Sequence, residues 1–354
     1  MSVADALDRV VAGMLALQDE GRFDEPNLDG TPGDYISFTS WEWPQGVGLY
    51  ALATLFREGG RDDLGDTLGQ WFDRHLSAGL PSRNINTTAP MLALAMLWEA
   101  RPEPRYRAAL DDWADWVMTG ATRTGEGGLQ HDVSDKINPG ELWADTLVMV
   151  GLFLARYGFA AGRADLVAEA ERQFLVHTRA LTDPSTGLWF HGFTFEGRHN
   201  FAQARWARGN AWASLAITDL CENPAIAGSI KTDLRSVLTT QISALLPLQT
   251  KTGAFRTLLD EPDAYEELSA TAGFAYALMK GARIGLGPPA WQAAGRRALA
   301  AVLADLDGAG VLQSVSYGTR MGQTLEFYKE IPLQPTAYGQ ALAALALVEA
   351  ARHA

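Results

Sequence analysis

The chain has 354 residues, and 29 Lys plus Arg stand against 42 Asp plus Glu, giving a formal charge of −13. That length suits two average domains or one large barrel, and the acidic balance argues against nucleic acid or an anionic membrane surface as a partner, since both attract basic patches. The single cysteine, Cys221, excludes an intramolecular disulfide framework and a multi-cysteine metal site, while 11 Trp beside 14 Phe and 9 Tyr point to an aromatic-walled cleft.

The first element spans an apolar stretch, Val10 to Leu17, that could pass for a signal-peptide core. Asp5 and Asp8 precede it with only Arg9 for positive charge, the wrong balance for a secretory leader. Leu7, Val10, Val11, Met14 and Leu17 follow helical spacing instead, which predicts a soluble amphipathic helix. Eleven further helices follow, so that the set runs over 3–19, 43–58, 61–77, 87–100, 105–119, 140–158, 163–181, 207–221, 229–248, 266–283, 289–306 and 336–352. No apolar run approaches the ~18 residues that span a membrane. No low-complexity linker interrupts the series, so one domain over 1–354 is expected.

The twelve are of two kinds. Every second helix is nearly apolar and rich in small residues, as in Pro90–Trp98, Thr146–Ala155 and Tyr338–Val348. The others carry charge on one face, as in Arg105–Met118 and Ala164–Thr178. A helix apolar all round must be buried, and one with a polar face sits outside. Six repeated hairpins of buried and exposed helices predict an all-α (α/α)6 barrel, with an open solenoid as the rival. Strand content should be small, and Gly187–Phe195 is the one good candidate.

In such a barrel the inner helices run the same way. Their N-termini gather at one end with converging amide donors. The residues at these starts are Trp41, Glu42, Trp43 and Pro44; Asn84, Asn86, Thr87 and Thr88; Asn138, Pro139, Glu141, Trp143 and Asp145; Trp206, Arg208, Asn210 and Trp212; Glu266 and Glu267; and Thr336 and Tyr338. Flat rings with planar amides and a few charges suit a sugar, whose apolar faces pack on rings while its hydroxyls take directed hydrogen bonds. Several of these residues have a simpler reading. Asn138, Pro139 and Glu141 match the N-cap, N1 and N3 pattern, which favours Glu141 as a cap. Thr87 and Thr88 read as caps, and Asn84 and Asn86 divide evenly between capping and ligand binding. Asp145 is expected two turns into an apolar helix, where a carboxylate is either a buried structural group or a general acid with a raised pKa. Arg208 is either a cation–π stack between tryptophans or a clamp for a substrate carboxylate. His131 and His191 fall in loops before inner helices, where they either meet ligand or stand exposed.

No metal or other cofactor is expected. The six histidines, His75, His131, His177, His191, His199 and His353, include no i,i+4 pair with a Glu between them. No phosphate-cradling glycine loop and no Gly-x-Ser-x-Gly elbow is present.

Three segments in one order carry a resemblance: Leu142–Met149 (LWADTLVM), Thr186–Gly192 (TGLWFHG) and Trp206–Trp212 (WARGNAW). Together with Ser269–Ala272 and Tyr338–Gln340 they are similar to the unsaturated glucuronyl and rhamnogalacturonyl hydrolases, glycoside hydrolase families 88 and 105, with WARGNAW looking most like family 105. The resemblance spans about residues 40 to 350. It implies an (α/α)6 barrel acting on unsaturated uronyl oligosaccharides left by polysaccharide lyases, by hydration of the C4=C5 bond. It also implies Asp145 as general acid and base, Arg208, Asn210 and Trp212 as a substrate-binding segment, and Trp41 and Trp43 as part of an aromatic wall. Two departures matter. The family's second Asp has no counterpart, since that region reads Arg83-Asn84-Ile85-Asn86-Thr87, and the segment from His191 to Trp206 is short. Galacturonyl or glucuronyl preference, the leaving sugar and the oligomeric state stay open.

Two other readings remain at this level. One is a different (α/α)6 sugar enzyme, an epimerase or an inverting glycosidase that pairs Asp145 with Glu42 or Glu267. The other is a catalytically silent sugar-binding protein. In each case an anionic ligand would require the acidity to sit on the outer helices and leave the cleft to Arg208, His131, His191 and the helix N-termini.

Overall fold

A computed structural model describes residues 2–19 and 26–352, so His353 lies outside the described residues. The first helix, α1 (Val3–Leu15), starts with a capping box: the Ser2 hydroxyl accepts from the Asp5 amide, and the Asp5 carboxylate accepts from the Ser2 amide. It is followed by α2 (Trp43–Glu58), α3 (Asp62–Ala78), the single turn α4 (Ile85–Thr88), α5 (Pro90–Ala100) and α6 (Pro104–Thr119). A short strand, β1 (Glu141–Trp143), leads through a π-helical turn (Leu147–Gly151) into α7 (Leu152–Ala161) and α8 (Ala164–Leu181). The second strand, β2 (Gly192–Thr194), precedes α9 (Ala207–Glu222), α10 (Gly228–Leu245), α11 (Leu268–Arg283), α12 (Ala290–Asp305), α13 (Leu325–Lys329) and α14 (Ala337–Ala351).

Six helices close a ring. α2 packs on α5, α5 on α7, α7 on α9, α9 on α11, α11 on α14, and α14 returns to α2. An outer helix backs each one: α3 on α2, α6 on α5, α8 on α7, α10 on α9, α12 on α11 and α1 on α14. This is the (α/α)6 barrel, and ring closure rules out the open solenoid. The sequence pattern is its cause. α14 is buried from Ala337 to Ala350, so no face remains for solvent. α3 and α8 bury only one stripe each, for example Leu64, Leu68, Trp71 and Phe72 on α3. Small residues set the spacing. A Cβ on Gly46 of α2 would stand 2.6 Å from the Ala89 Cβ, so that contact admits only glycine.

The two ends of the barrel differ. Connections 59–61, 101–103, 162–163, 223–227 and 284–289 are short, whereas 120–146, 182–206, 249–267 and 306–336 are long. The long ones all lead from an outer helix to the start of an inner one, so they pile up at the end where inner N-termini converge.

Four expectations need correction. The helix over 140–158 is not continuous. Gly140 takes φ +68°, outside the helical region, and residues 141–143 form β1, pairing antiparallel with β2 in the register Glu141↔Thr194, Leu142↔Phe193 and Trp143↔Gly192. Glu141 therefore caps nothing; its carboxylate accepts from the Trp143 indole N–H at 2.8 Å. Asp145 consequently stands at the start of the inner helix rather than two turns inside it: its carbonyl accepts from the Val148 and Met149 amides, both at 3.0 Å. The strand expected over 187–195 shrinks to Gly192–Thr194. α13 has no counterpart in the sequence reading. No helix among the described residues is long and apolar enough to cross a membrane.

Candidate active site

At the end with the long loops lies a cavity of about 370 Å³, lined by Trp43, Asn86, His131, Trp143, Asp145, Trp206 and Arg208, and by Tyr35, Val133, Asp135, Met149 and residues 317–320. That volume is within the range of small-ligand sites. Every inner helix from α2 to α9 places a residue at or near its start here, which is why residues far apart in sequence meet.

A belt of rings surrounds the cavity. Trp43 stacks on Tyr338 with centroids 4.6 Å apart. The Arg208 guanidinium lies between Tyr338, at 4.8 Å, and Trp206, at 4.5 Å. Trp206 contacts His191 at 4.1 Å, His191 meets Trp143 edge-on at 5.3 Å, and Trp143 stacks on His131 at 4.4 Å. Aromatic faces and one cation thus alternate around the wall, a surface that sugar faces and hydroxyls can both use.

Asp145 stands on the floor. Its side chain is 13% exposed, and its Oδ2 is fully covered with no hydrogen-bond partner. Oδ1 is then the oxygen able to face the cavity. Burial pushes its pKa up to about 6, opposed by the Arg208 charge and by the Trp212 indole N–H beneath it. His191 Nε2 is 3.7 Å from Asp145 Oδ2, and Nε2 likewise lacks a partner. His131 and His191 are both buried, at 2% and 1% exposure, so neither is an exposed loop histidine. Burial holds His131 down to about 3 and His191 well below its usual value, so both rings are neutral. His131 Nδ1 pairs with the Thr146 hydroxyl at 2.8 Å.

Arg208 is fully buried, and its two terminal nitrogens are already engaged. They donate to the Ser316 carbonyl and hydroxyl, the Tyr317 carbonyl and the Thr319 and Ser269 hydroxyls. Only Nε lacks a partner. Arg208 thus stacks between rings, the first of its two expected roles, and its terminal nitrogens fasten loop 316–319 as a cavity wall in place of forming a free two-pronged clamp.

The other expected residues stand behind this surface. Trp41 packs against Trp71, Phe72 and Trp113, and its indole donates to the Thr87 carbonyl at 2.8 Å. Asn84 caps α4, accepting from the Thr87 amide at 3.0 Å, and donates to the Ser134 hydroxyl. Asn210 is spent on the backbone of Trp189, accepting at 2.7 Å and donating at 2.7 Å. Trp212 lies under the floor, and the Tyr338 hydroxyl donates to the Ser316 carbonyl at 2.5 Å. Glu267 caps α11 and accepts from the Ser269, Ala270 and Ser316 amides. Glu42 caps α2, accepting from the Trp43 amide and from the Ser134 hydroxyl at 2.5 Å, and burial raises its pKa to about 7. Neither glutamate lines the cavity, which removes the partner that an inverting pair with Asp145 would need. Asn86 lies against Glu42 and does line it.

Sequence reasoning missed Tyr35, Asp135, Tyr317, Thr319 and Arg320. All belong to loops with no helical periodicity, so only the fold brings them here. Arg320 pairs with Asp135 across the mouth.

A family model described as Glycosyl Hydrolase Family 88 matches residues 18–354. A curated relative, the unsaturated rhamnogalacturonyl hydrolase YesR of Bacillus subtilis, is 33% identical over 307 residues, covering 86% of this chain and 88% of that one. Two solved structures, each described as a possible member of the GH105 family, come from Salmonella enterica and Klebsiella pneumoniae. Both are 38% identical, with TM-scores of 0.97 and 0.96 over 99% of this chain and 94% and 93% of theirs. With a closed barrel, a ring-lined cavity and a match along nearly its whole length, the chain belongs to glycosyl hydrolase family 88.

Proposed function

We infer that this glycosidase removes a terminal 4,5-unsaturated uronic acid from lyase-made oligosaccharides by hydrating the C4=C5 bond, and that it works as one catalytic domain without a cofactor. The observation that carries the reading is Asp145: a single buried carboxyl on the floor of a ring-lined cavity, its pKa near 6, with no second lining carboxylate except Asp135, which is tied to Arg320. A lone group of that kind suits a reaction in which one residue first gives and then takes a proton. Protonated Asp145 delivers its proton to C4, and positive charge develops at C5 and the ring oxygen. Water adds at C5 and its proton returns to Asp145, which restores the acid. The hemiketal opens to a ketone at C5, C1 becomes a hemiacetal, and its collapse releases the neighbouring sugar as an alcohol. One water is consumed and no redox change occurs.

Trp43, Trp143 and Trp206 are proposed as stacking walls and Asn86 and His131 as polar contacts. Trp41, Asn84, Asn210, Trp212 and Tyr338 support this surface from behind. YesR, an unsaturated rhamnogalacturonyl hydrolase by name, favours a rhamnogalacturonan-derived substrate. A cytoplasmic site of action, with the oligosaccharide fed by import, is part of the proposal.

The test is the ultraviolet absorbance of the ene-uronate, followed on unsaturated disaccharides from pectin, rhamnogalacturonan and glycosaminoglycan. Absorbance should fall for at least one. A flat trace across the panel would overturn the reading. Asp145→Asn should lower kcat by at least about 10²–10⁴, the usual share of a general acid, while calorimetry still detects binding; full activity would remove Asp145 from its role.

A further inference from the structure

His191 has a second neighbour that the hydrolytic reading does not use. Its Nδ1 is 2.8 Å from the hydroxyl of Tyr328, on α13 in the long loop before α14. That hydroxyl already accepts from the Gly322 amide at 3.1 Å, and among the described residues its only other hydrogen-bond partner is the Met321 thioether at 3.7 Å. A phenol has one proton to donate, and a thioether is a weak acceptor beside an imidazole nitrogen. The proton therefore goes to His191 Nδ1. Because the ring is neutral, its own proton must then sit on Nε2, the nitrogen that faces Asp145 Oδ2 at 3.7 Å. Both atoms are buried without a hydrogen-bond partner, so Nε2–H is a donor available to Oδ2, beside the Trp212 indole N–H that also acts on this carboxyl.

We propose that Tyr328 is a positioning residue for the reaction: its hydroxyl fixes His191 as the Nε2–H tautomer, which aims a neutral donor at the carboxylate that Asp145 becomes once its proton has gone to substrate. The inference rests on the assignment of Asp145 as the acid. The donor stabilises the charged form, so it assists proton delivery and holds Oδ2 while Oδ1 takes the proton back from water. The gap of 3.7 Å is long for a hydrogen bond and suits a contact that tightens as charge forms on the carboxylate. Tyr328 is well fixed for this duty. It is buried with Ala204, Trp206, Leu258 and Ala264 in a small apolar cluster, separate from the main core. Its carbonyl accepts from the Tyr265 hydroxyl at 3.3 Å, and the next residue, Lys329, pairs with Asp263 at 2.9 Å. Besides Asp145, the groups that face His191 are the neutral His131 ring, the Arg208 guanidinium, whose charge disfavours an imidazolium, and the rings of Trp143 and Trp206.

Two readouts test the proposal on the full chain. Histidine ¹⁵N spectra of the free protein should show His191, assigned by its loss in His191→Gln, as a neutral ring protonated at Nε2. In Tyr328→Phe that pattern should give way to Nδ1–H or to exchange between tautomers. The same variant should lose about tenfold in kcat, the worth of one hydrogen bond to a charged group, with a smaller change in KM, and its alkaline pH limb should move upward because the Asp145 carboxylate has lost a donor. Retention of near-UV circular dichroism shows that the variant is folded. Wild-type His191 protonated at Nδ1, or a folded Tyr328→Phe variant with unchanged tautomer and pH profile, overturns the proposal. The spectra need no substrate, so a wild type that hydrolyses nothing on the panel sinks the functional reading while the tautomer result still decides this one.

Discussion

At the scale of single residues, Asp145 and Arg208 control each other. Arg208 lies beside a buried carboxyl whose pKa is near 6, and its positive charge is the main influence pulling that value down. The acid must hold its proton to begin the reaction, so kcat/KM should decline as pH rises through about 6. Replacing Arg208 by Gln removes the opposing charge. The alkaline limb should then move to higher pH, even as the absolute rate falls because loop 316–319 loses its fastening. A pH profile of absorbance loss measures both effects, and a limb that stays in place would show that Arg208 acts only as a strut. Arg208→Lys should also be poorly tolerated, with kcat/KM down at least about tenfold, since an ammonium cannot keep five separate acceptors or the ring stack. Asp145 could be picked out from its apolar sequence neighbours. The engagement of Arg208 by Ser316, Tyr317 and Thr319 could not, because those partners lie more than a hundred residues away in a loop without periodicity.

At the scale of elements, apolar periodicity located the inner and outer helices because burial on all sides leaves a signal that local chemistry rarely hides. It failed at 140–146, where the residues before the apolar run pattern like a helix start but Gly140 adopts a left-handed conformation and β1 finds its partner some fifty residues on. Pairing of that kind is invisible to a local window. Gly140→Ala tests the point. An alanine there costs about 1 kcal/mol of backbone strain, and it should lower activity more than stability, because β1 sets the approach to Asp145. At the opposite end of the barrel, Lys280 of α11 donates to Asp219 of α9 at 2.6 Å, and the Tyr50 hydroxyl of α2 donates to the same carboxylate at 2.5 Å. The Tyr276 hydroxyl of α11 donates to it as well, at 2.8 Å, so three inner helices are tied together through Asp219. Lys280→Met leaves Asp219 buried beside two phenols with no cation of its own, a change that costs about 3–5 kcal/mol. The thermal midpoint should drop clearly while kcat at low temperature hardly moves, since the tie lies far from the cavity. Unchanged melting would mean that the tyrosines alone satisfy Asp219.

At the scale of the whole molecule, closing the ring has an acid–base consequence. The inner N-termini crowd Asp145 and Glu42 into one dry end, where burial raises them to about 6 and about 7, from ordinary values of 3.8 and 4.5. At these two sites the folded state holds protons that the unfolded chain has released between about pH 4 and pH 7, so their share of the stability falls as pH rises through that window. A shift of roughly two units for one carboxyl corresponds to about 3 kcal/mol at most. Carboxylates with lowered values, such as Glu169 beside Arg172 and Arg123, act in the opposite sense at lower pH, where they begin to bind protons. The buried histidines oppose within the same window: His131, His177 and His191 stay neutral in the fold while the unfolded chain takes up their protons below about pH 6.5, so their contribution is lost as pH falls. The formal charge of −13 reinforces the decline at high pH by self-repulsion. The two raised carboxyls are therefore read by difference, in a variant that changes one of them alone. Asp145→Asn removes one of the two raised groups while keeping its shape, so it should melt above the wild type at pH 8 and alongside it near pH 4. Thermal melts of both proteins at pH 4, 6 and 8 read the difference directly. A gap that is the same at all three values would mean that the substitution acts through packing, and that the carboxyl of Asp145 is not held in its protonated form by the fold.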